Sequence, residues 1–132
     1  DVIVSGRTNL IISVGNILKE AIETSKKLKK NRVDNSVIDL RYIKPLDEKV
    51  LKKALKNFKR IFVIEEHFAS GGAGSAIIEW ANKNGFNTSK IYLFGVKNKF
   101  VHSSGNQTAA REKLGLSSEK IFKRIIKVIK NK

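Results

Sequence analysis

The sequence predicts a three-layer α/β/α domain on a mixed five-stranded sheet with its first strand antiparallel. Three observations carry this. Short apolar runs alternate along the chain with stretches of helical periodicity. The runs are apolar along most of their length, so as strands they are buried on both faces, the mark of a parallel sheet covered by helices on each side. The chain has 132 residues, of which 41% are hydrophobic and 30% charged. That is the size of one domain, with apolar residues enough to offset the entropy of ordering it.

The elements follow in order. Val2-Ile3-Val4 and the turn at Ser5-Gly6-Arg7 predict a strand hairpinned onto the next run, hence antiparallel to it. Residues 9–15 form a continuous β-rich run ending in Gly15. Ile17, Leu18, Ala21, Ile22, Ser25 and Leu28 then recur at spacings of three and four, one face of a helix with Asn16 as its expected N-cap. A second run covers 36–43, and Pro45 blocks its continuation. Asp47 is placed to cap a helix whose core face is Val50, Leu51, Ala54, Leu55 and Phe58. The third run, 60–66, enters the glycine-rich turn Ser70-Gly71-Gly72-Ala73-Gly74-Ser75. A helix through Ala76, Ile77, Ile78, Trp80 and Ala81 closes near Gly85. After the fourth run, 90–96, a polar loop leads to a short helix over 107–114, ended by Gly115. Ser117 caps a last helix that buries Ile121, Phe122, Ile125, Ile126 and Ile129.

Composition narrows the function. No apolar run approaches the roughly 20 residues that span a bilayer. The start has no basic segment followed by a long apolar one, which argues against a signal peptide, and no Met, which suggests a piece of a longer chain. Cysteine is absent, so disulfides, thiolate nucleophiles and Cys-type zinc sites are excluded. Lys and Arg number 27 against 12 Asp and Glu, a net charge of +15. Such a field favours polyanions. Yet 21 of the cations are Lys and only 6 are Arg, the residue that recognises bases and phosphates bidentately. Many Lys fall where helices end (Lys26, Lys27, Lys29, Lys30; Lys127, Lys130, Lys132) and complement the helix dipole. The leading reading is a solvated basic surface; a polyanion-binding surface and contact with an acidic neighbouring domain are the alternatives.

Ligands of an open α/β sheet sit beyond the carboxyl ends of its strands, and three places qualify. Glu65-Glu66-His67 could do acid–base work, and the glycine turn behind it could present backbone N–H groups to an anion. The turn is neither G-x-G-x-x-G nor a P-loop, and the acidic pair would repel phosphate, so the competing reading is a close approach of helix and strand. Asp39 and Arg41 alternate onto one sheet face, as a buried or interfacial ion pair more readily than a catalytic one. The third place, residues 100–105, sets His102 beside Ser103, but adjacency in sequence does not make a triad, and no G-x-S-x-G elbow is present. Two distant His residues without H-E-x-x-H give no metal motif.

Four segments taken together resemble the C-terminal domain of transketolase-type thiamine diphosphate enzymes. They are the segment 37–47, which runs Val-Ile-Asp-Leu-Arg-Tyr-Ile-Lys-Pro-Leu-Asp; Val63-Ile64-Glu65-Glu66-His67 with the glycines Gly71, Gly72 and Gly74 before Ser75; Gly95-Val96 leading to Phe100; and Gly105-Asn106-Gln107 with 111–116. Within that superfamily, 44–47 and 105–116 lean toward 1-deoxy-D-xylulose-5-phosphate synthases. Glu65-Glu66-His67 is equally like transketolase small subunits, and His102-Ser103-Ser104 departs from the loop of either. Beta subunits of 2-oxoacid dehydrogenases share the Asp39–Arg41 segment but match the glycine turn less well.

The resemblance implies a cytoplasmic or organelle-matrix transferase whose thiamine diphosphate and Mg²⁺ are bound by other domains. It implies a homodimer, no membrane partner and no nucleic acid. This segment then carries no catalytic, cofactor-binding or metal residue, and packs against the other domains and subunits. Asp39, Arg41, Glu65, Glu66, His67, Gly71, Gly72, Gly74, Ser75 and His102 become candidate interface or anion contacts. Two alternatives stand beside it: a free-standing basic module binding nucleic acid or another polyanion, and a small α/β enzyme using Glu66 and His67.

Overall fold

The computed structural model describes residues 2–4, 7–40, 47–66, 72–95 and 117–131. The strands are β1 (Val2–Val4), β2 (Asn9–Val14), β3 (Asn35–Leu40), β4 (Arg60–Glu65) and β5 (Ile91–Phe94). The helices are α1 (Leu18–Lys30), α2 (Glu48–Asn57), α3 (Ala73–Lys83) and α4 (Ser118–Lys130), with a 3-10 turn at Thr88–Lys90. The strands form one sheet in the order β1-β3-β2-β4-β5. β2 pairs in parallel with β3 and β4, and β4 with β5. β1 alone runs antiparallel. The expected short helix over 107–114, with Gly115 after it, lies outside the described residues, as does Pro45.

Period-two alternation sorts the strand residues into two cores. Leu10, Ile12, Ile38 and Val63 face α2 and α3, where Leu51, Ala54, Leu55 and Ile77 meet them. Ile11, Val37, Phe62 and Ile64 face α1 and α4, against Ala21, Leu28, Ile121 and Ile125. Phe62 is fully buried and stacks between Tyr92 and Phe94, with ring centroids 5.3 and 5.9 Å away. Arg124 lies 4.5 Å over the Phe94 ring and closes that side.

Two local expectations are corrected. β1 pairs with β3 rather than hairpinning onto β2: Val2 lies opposite Ile38 and Val4 opposite Val37. Both edges of β2 are taken by parallel partners. Asp34, immediately before β3, accepts from the backbone N–H groups of Arg7 and Thr8 (3.0 Å to Thr8), tethering the β1–β2 connection to β3. The N-cap of α1 is Ile17, not Asn16, and it makes no side-chain capping bond. Ile17 is fully buried. Burying an Ile is worth about 1.5–3 kcal/mol, against about 1 kcal/mol for a polar cap, so packing sets this start.

The other caps form as expected. Asp47 accepts from Val50 N at 3.2 Å and Ser117 from Lys120 N at 3.3 Å. Lys27, Lys29 and Lys30 fall in the last turn of α1, and Lys127 and Lys130 in that of α4. Gly85, at φ +78°, turns the chain after α3 in a conformation that favours glycine. α3 begins three residues earlier than the periodicity indicates, taking Ala73, Gly74 and Ser75 into its first turn. The cause lies in the site.

Candidate functional site

β2 sits between neighbours whose connections diverge. Its own chain leaves through α1 toward β3, while that of β4 leaves through α3 toward β5, and the two helices lie on opposite faces. This is the switch point of an open α/β sheet, and the crevice lies between the carboxyl ends of β2 and β4. The register sets Val14 beside Glu65 there.

Glu65 ends β4 on the α2/α3 face and is buried, 4% exposed. Its carboxylate is bidentate on the start of α3: Ala73 N donates to Oε2 at 2.9 Å and Gly74 N to Oε1 at 3.1 Å. The N-cap of α3 is Gly72, which has no side chain to cap with. Glu65 satisfies two of the orphan donors from across the turn and sets a negative charge on the positive end of the helix. Charge-assisted bonds of this kind contribute about 1.5–3 kcal/mol each. They explain the early helix start, because Ala73 and Gly74 are held in its first turn.

Gly74 makes the approach possible. A Cβ there would stand 2.6 Å from Leu93 Cδ2 and 3.2 Å from Glu65 Oε1. At this glycine the helix, β5 and the carboxylate meet closely, as the packing reading of the turn requires. The two N–H groups that could hold a bound anion hold Glu65.

Glu65, Gly72, Gly74 and Ser75 are thus brought together at one corner, with the half-buried Glu66 following Glu65 in sequence. Asp39 is not part of that corner. It stands on β3 in register with Ser13 of β2, on the α1/α4 face, so the sheet lies between it and Glu65. Arg41, His67, Gly71 and His102 lie outside the described residues, and with them Ser103 and Ser104. Among the described residues, no three His, Asp or Glu side chains come together in a way that could hold a metal ion.

Sequence reasoning missed one participant in the corner and one buried hydroxyl on the opposite face of the sheet. Ser13 is fully buried, and its Oγ has no hydrogen-bond partner among the described residues. A hydroxyl inside the run Leu10-Ile11-Ile12-Ser13-Val14 was the available signal. Ala73 donates through its backbone, which no side-chain pattern reveals.

Residues 1–121 match the family model described as transketolase, C-terminal domain. A 1-deoxy-D-xylulose-5-phosphate synthase of Geobacillus sp. (strain WCH70) is 32% identical over 132 residues, which is 100% of this chain and 21% of that protein. The Bacillus velezensis synthase is 31% identical over 95% of this chain and 20% of its own length. The chain therefore spans about a fifth of the length of these relatives. Among solved structures, a split-gene transketolase described as an inactive beta4 tetramer superposes with a TM-score of 0.84 at 26% identity, over 96% of this chain and 41% of that one. A transketolase from Pichia stipitis gives 0.67 at 19% identity, over 96% and 17%, a likeness of fold alone.

Proposed function

The chain belongs to the transketolase C-terminal domain family, and from that premise we propose that it is the C-terminal domain of a thiamine diphosphate-dependent two-carbon transferase of the 1-deoxy-D-xylulose-5-phosphate synthase type. One observation carries the choice within the family: the identity to a synthase of that name extends over the whole chain. The domain's role is to pack against the other domains and to help build a homodimer. Asp39, Arg41, Glu66, His67 and His102 are its contact residues, while Glu65, Gly72 and Gly74 shape the start of α3.

The described residues do not fit thiamine diphosphate. The helix start at the glycine turn is taken by Glu65. No cluster among the described residues suits Mg²⁺. The proposal assigns cofactor and metal to the rest of the parent protein, where the thiazolium ring would serve as electron sink. The same reading assigns the parent to the cytoplasm or an organelle matrix.

A second reading has its own support. The split-gene transketolase shares this fold at 26% identity, so the parent could be a subunit that meets its cofactor's diphosphate site on another chain. An immunoblot of source cells against this 14.8 kDa segment separates the readings. A band several times that mass, in a fraction with synthase activity, is the expected result. An intermediate band supports the split subunit. A band at the segment's own mass overturns both and leaves the basic, polyanion-binding module. Stoichiometric thiamine diphosphate binding by the segment alone also counts against the proposal.

A further inference from the structure

We propose that Glu65 is a built-in anion: it occupies the seat that this fold offers to phosphate and closes the crevice between β2 and β4 to phosphorylated ligands. Helix starts behind a glycine turn bind phosphate because their first N–H groups are unpaired and stand at the positive end of the dipole. Here the N–H groups of Ala73 and Gly74 each already donate to one carboxylate oxygen, at 2.9 and 3.1 Å. The carboxylate is enclosed as a bound ligand would be. Glu65 is 4% exposed, and the absent side chain of Gly74 leaves room for it beside Leu93.

The surroundings fit an internal anion and not an external one. The first turn, Ala73-Gly74-Ser75-Ala76, carries no cationic side chain, and Glu66 adds a second carboxylate next in sequence. A phosphate entering this seat would meet the like charge of Glu65, with no cationic side chain in the first turn of α3 to offset it. It would also compete with a carboxylate tethered eight residues away, whose effective concentration is at least on the order of millimolar. The seat is therefore closed to phosphate while Glu65 is charged and in place. This inference concerns the turn alone and does not depend on which reaction the parent protein performs.

The test uses the full-length polypeptide carrying this domain, with E65A and E65Q variants and inorganic phosphate and formate as probes at constant ionic strength. Comparing variant with wild type removes binding at any other phosphate site. E65A is expected to melt lower than wild type, to regain part of that loss in formate or phosphate but not in chloride, and to bind phosphate about tenfold more tightly than wild type. E65Q, whose amide fills the seat without charge, is expected to melt lower and to gain nothing from either anion. The proposal is overturned if a folded E65A gains no stability from formate or phosphate. It is equally overturned if the Ala73 and Gly74 amide resonances of the wild type shift on phosphate addition, a readout independent of how the variants fold.

Discussion

The two ends of the sheet are built differently. At the amino end, short connections are tied by polar groups buried among themselves. Asn35, fully buried, donates through Nδ2 to Ser25 O and Val33 O and accepts from Ser25 Oγ at 2.5 Å. Asn9 donates to Asp34 O at 2.9 Å and accepts from Arg60 Nη1 at 3.3 Å. Lys90 donates to the carbonyls of Leu55 and Phe58 where α2 ends. At the carboxyl end the connections run over 15–17, 41–47, 66–72 and 95–117, against 31–34, 58–59 and 84–90 at the other. There Asp39 and the buried hydroxyl of Ser13, in register with it, lie on one face of the sheet and Glu65 on the other. Ser13 Oγ has no hydrogen-bond partner among the described residues. Polar groups bonded into short turns hold a fold together. Acidic groups below long connections are where such folds meet ligands or partners. The amino end thus holds the hydrogen-bonded polar turns, and the carboxyl end carries Glu65 as a clamp on the start of α3.

Substitutions can break or sharpen that contrast. The largest effect is expected from Asn35→Ala. Removing it leaves buried partners at Ser25 and Val33, so denaturant unfolding should show a loss of roughly 3 kcal/mol, with the parent's activity unchanged among molecules that remain folded. Gly74→Val comes next. Its added carbons meet Leu93 and the Glu65 carboxylate, and overpacking of this kind costs about 2 kcal/mol. Because it displaces the clamp at the carboxyl end, it should also weaken assembly of the parent, seen as a shift to smaller species in sedimentation. Equal assembly by Asn35→Ala and Gly74→Val at matched stability would dissolve the distinction between the ends. Lys90→Met removes two bonds to carbonyls at the end of α2 and should cost about 1 kcal/mol without affecting assembly.

The smallest effect is a pH dependence at the amino end. The Arg7 backbone N–H, the main cause, and that of Thr8 hold the Asp34 carboxyl below its usual value of 3.8. A depressed carboxyl contributes stability above its unfolded value and loses it as pH falls through its folded one. The wild type should therefore lose melting temperature below about pH 4 more steeply than Asp34→Asn, measured by thermal scans across the acid range.

Much of this was legible in the residues. Runs apolar on both faces specified parallel strands, and spacings of three and four located the buried faces of α1, α2 and α4. Asp47 and Ser117 capped where local chemistry indicated, because an N-cap bond closes within a few residues. The partner of β1, the start of α1 and the clamp at Glu65 were not legible in this way. Each was decided by a contact across the fold: Asp34 reaching the β1–β2 connection, Ile17 seated in the core, Glu65 reaching Ala73 and Gly74.

By itself, then, the sequence determined the layers and the strand directions, which follow from periodicity and short-range bonding that any local segment carries. Its motifs resembled the family to which the chain belongs. The tertiary structure alone decided that the glycine turn holds the protein's own carboxylate, and that Asp39 and Glu65 stand on opposite faces of the sheet. Residues distant in sequence meet only when the sheet assembles, and two acidic residues near neighbouring strand ends read alike until the register assigns each a face.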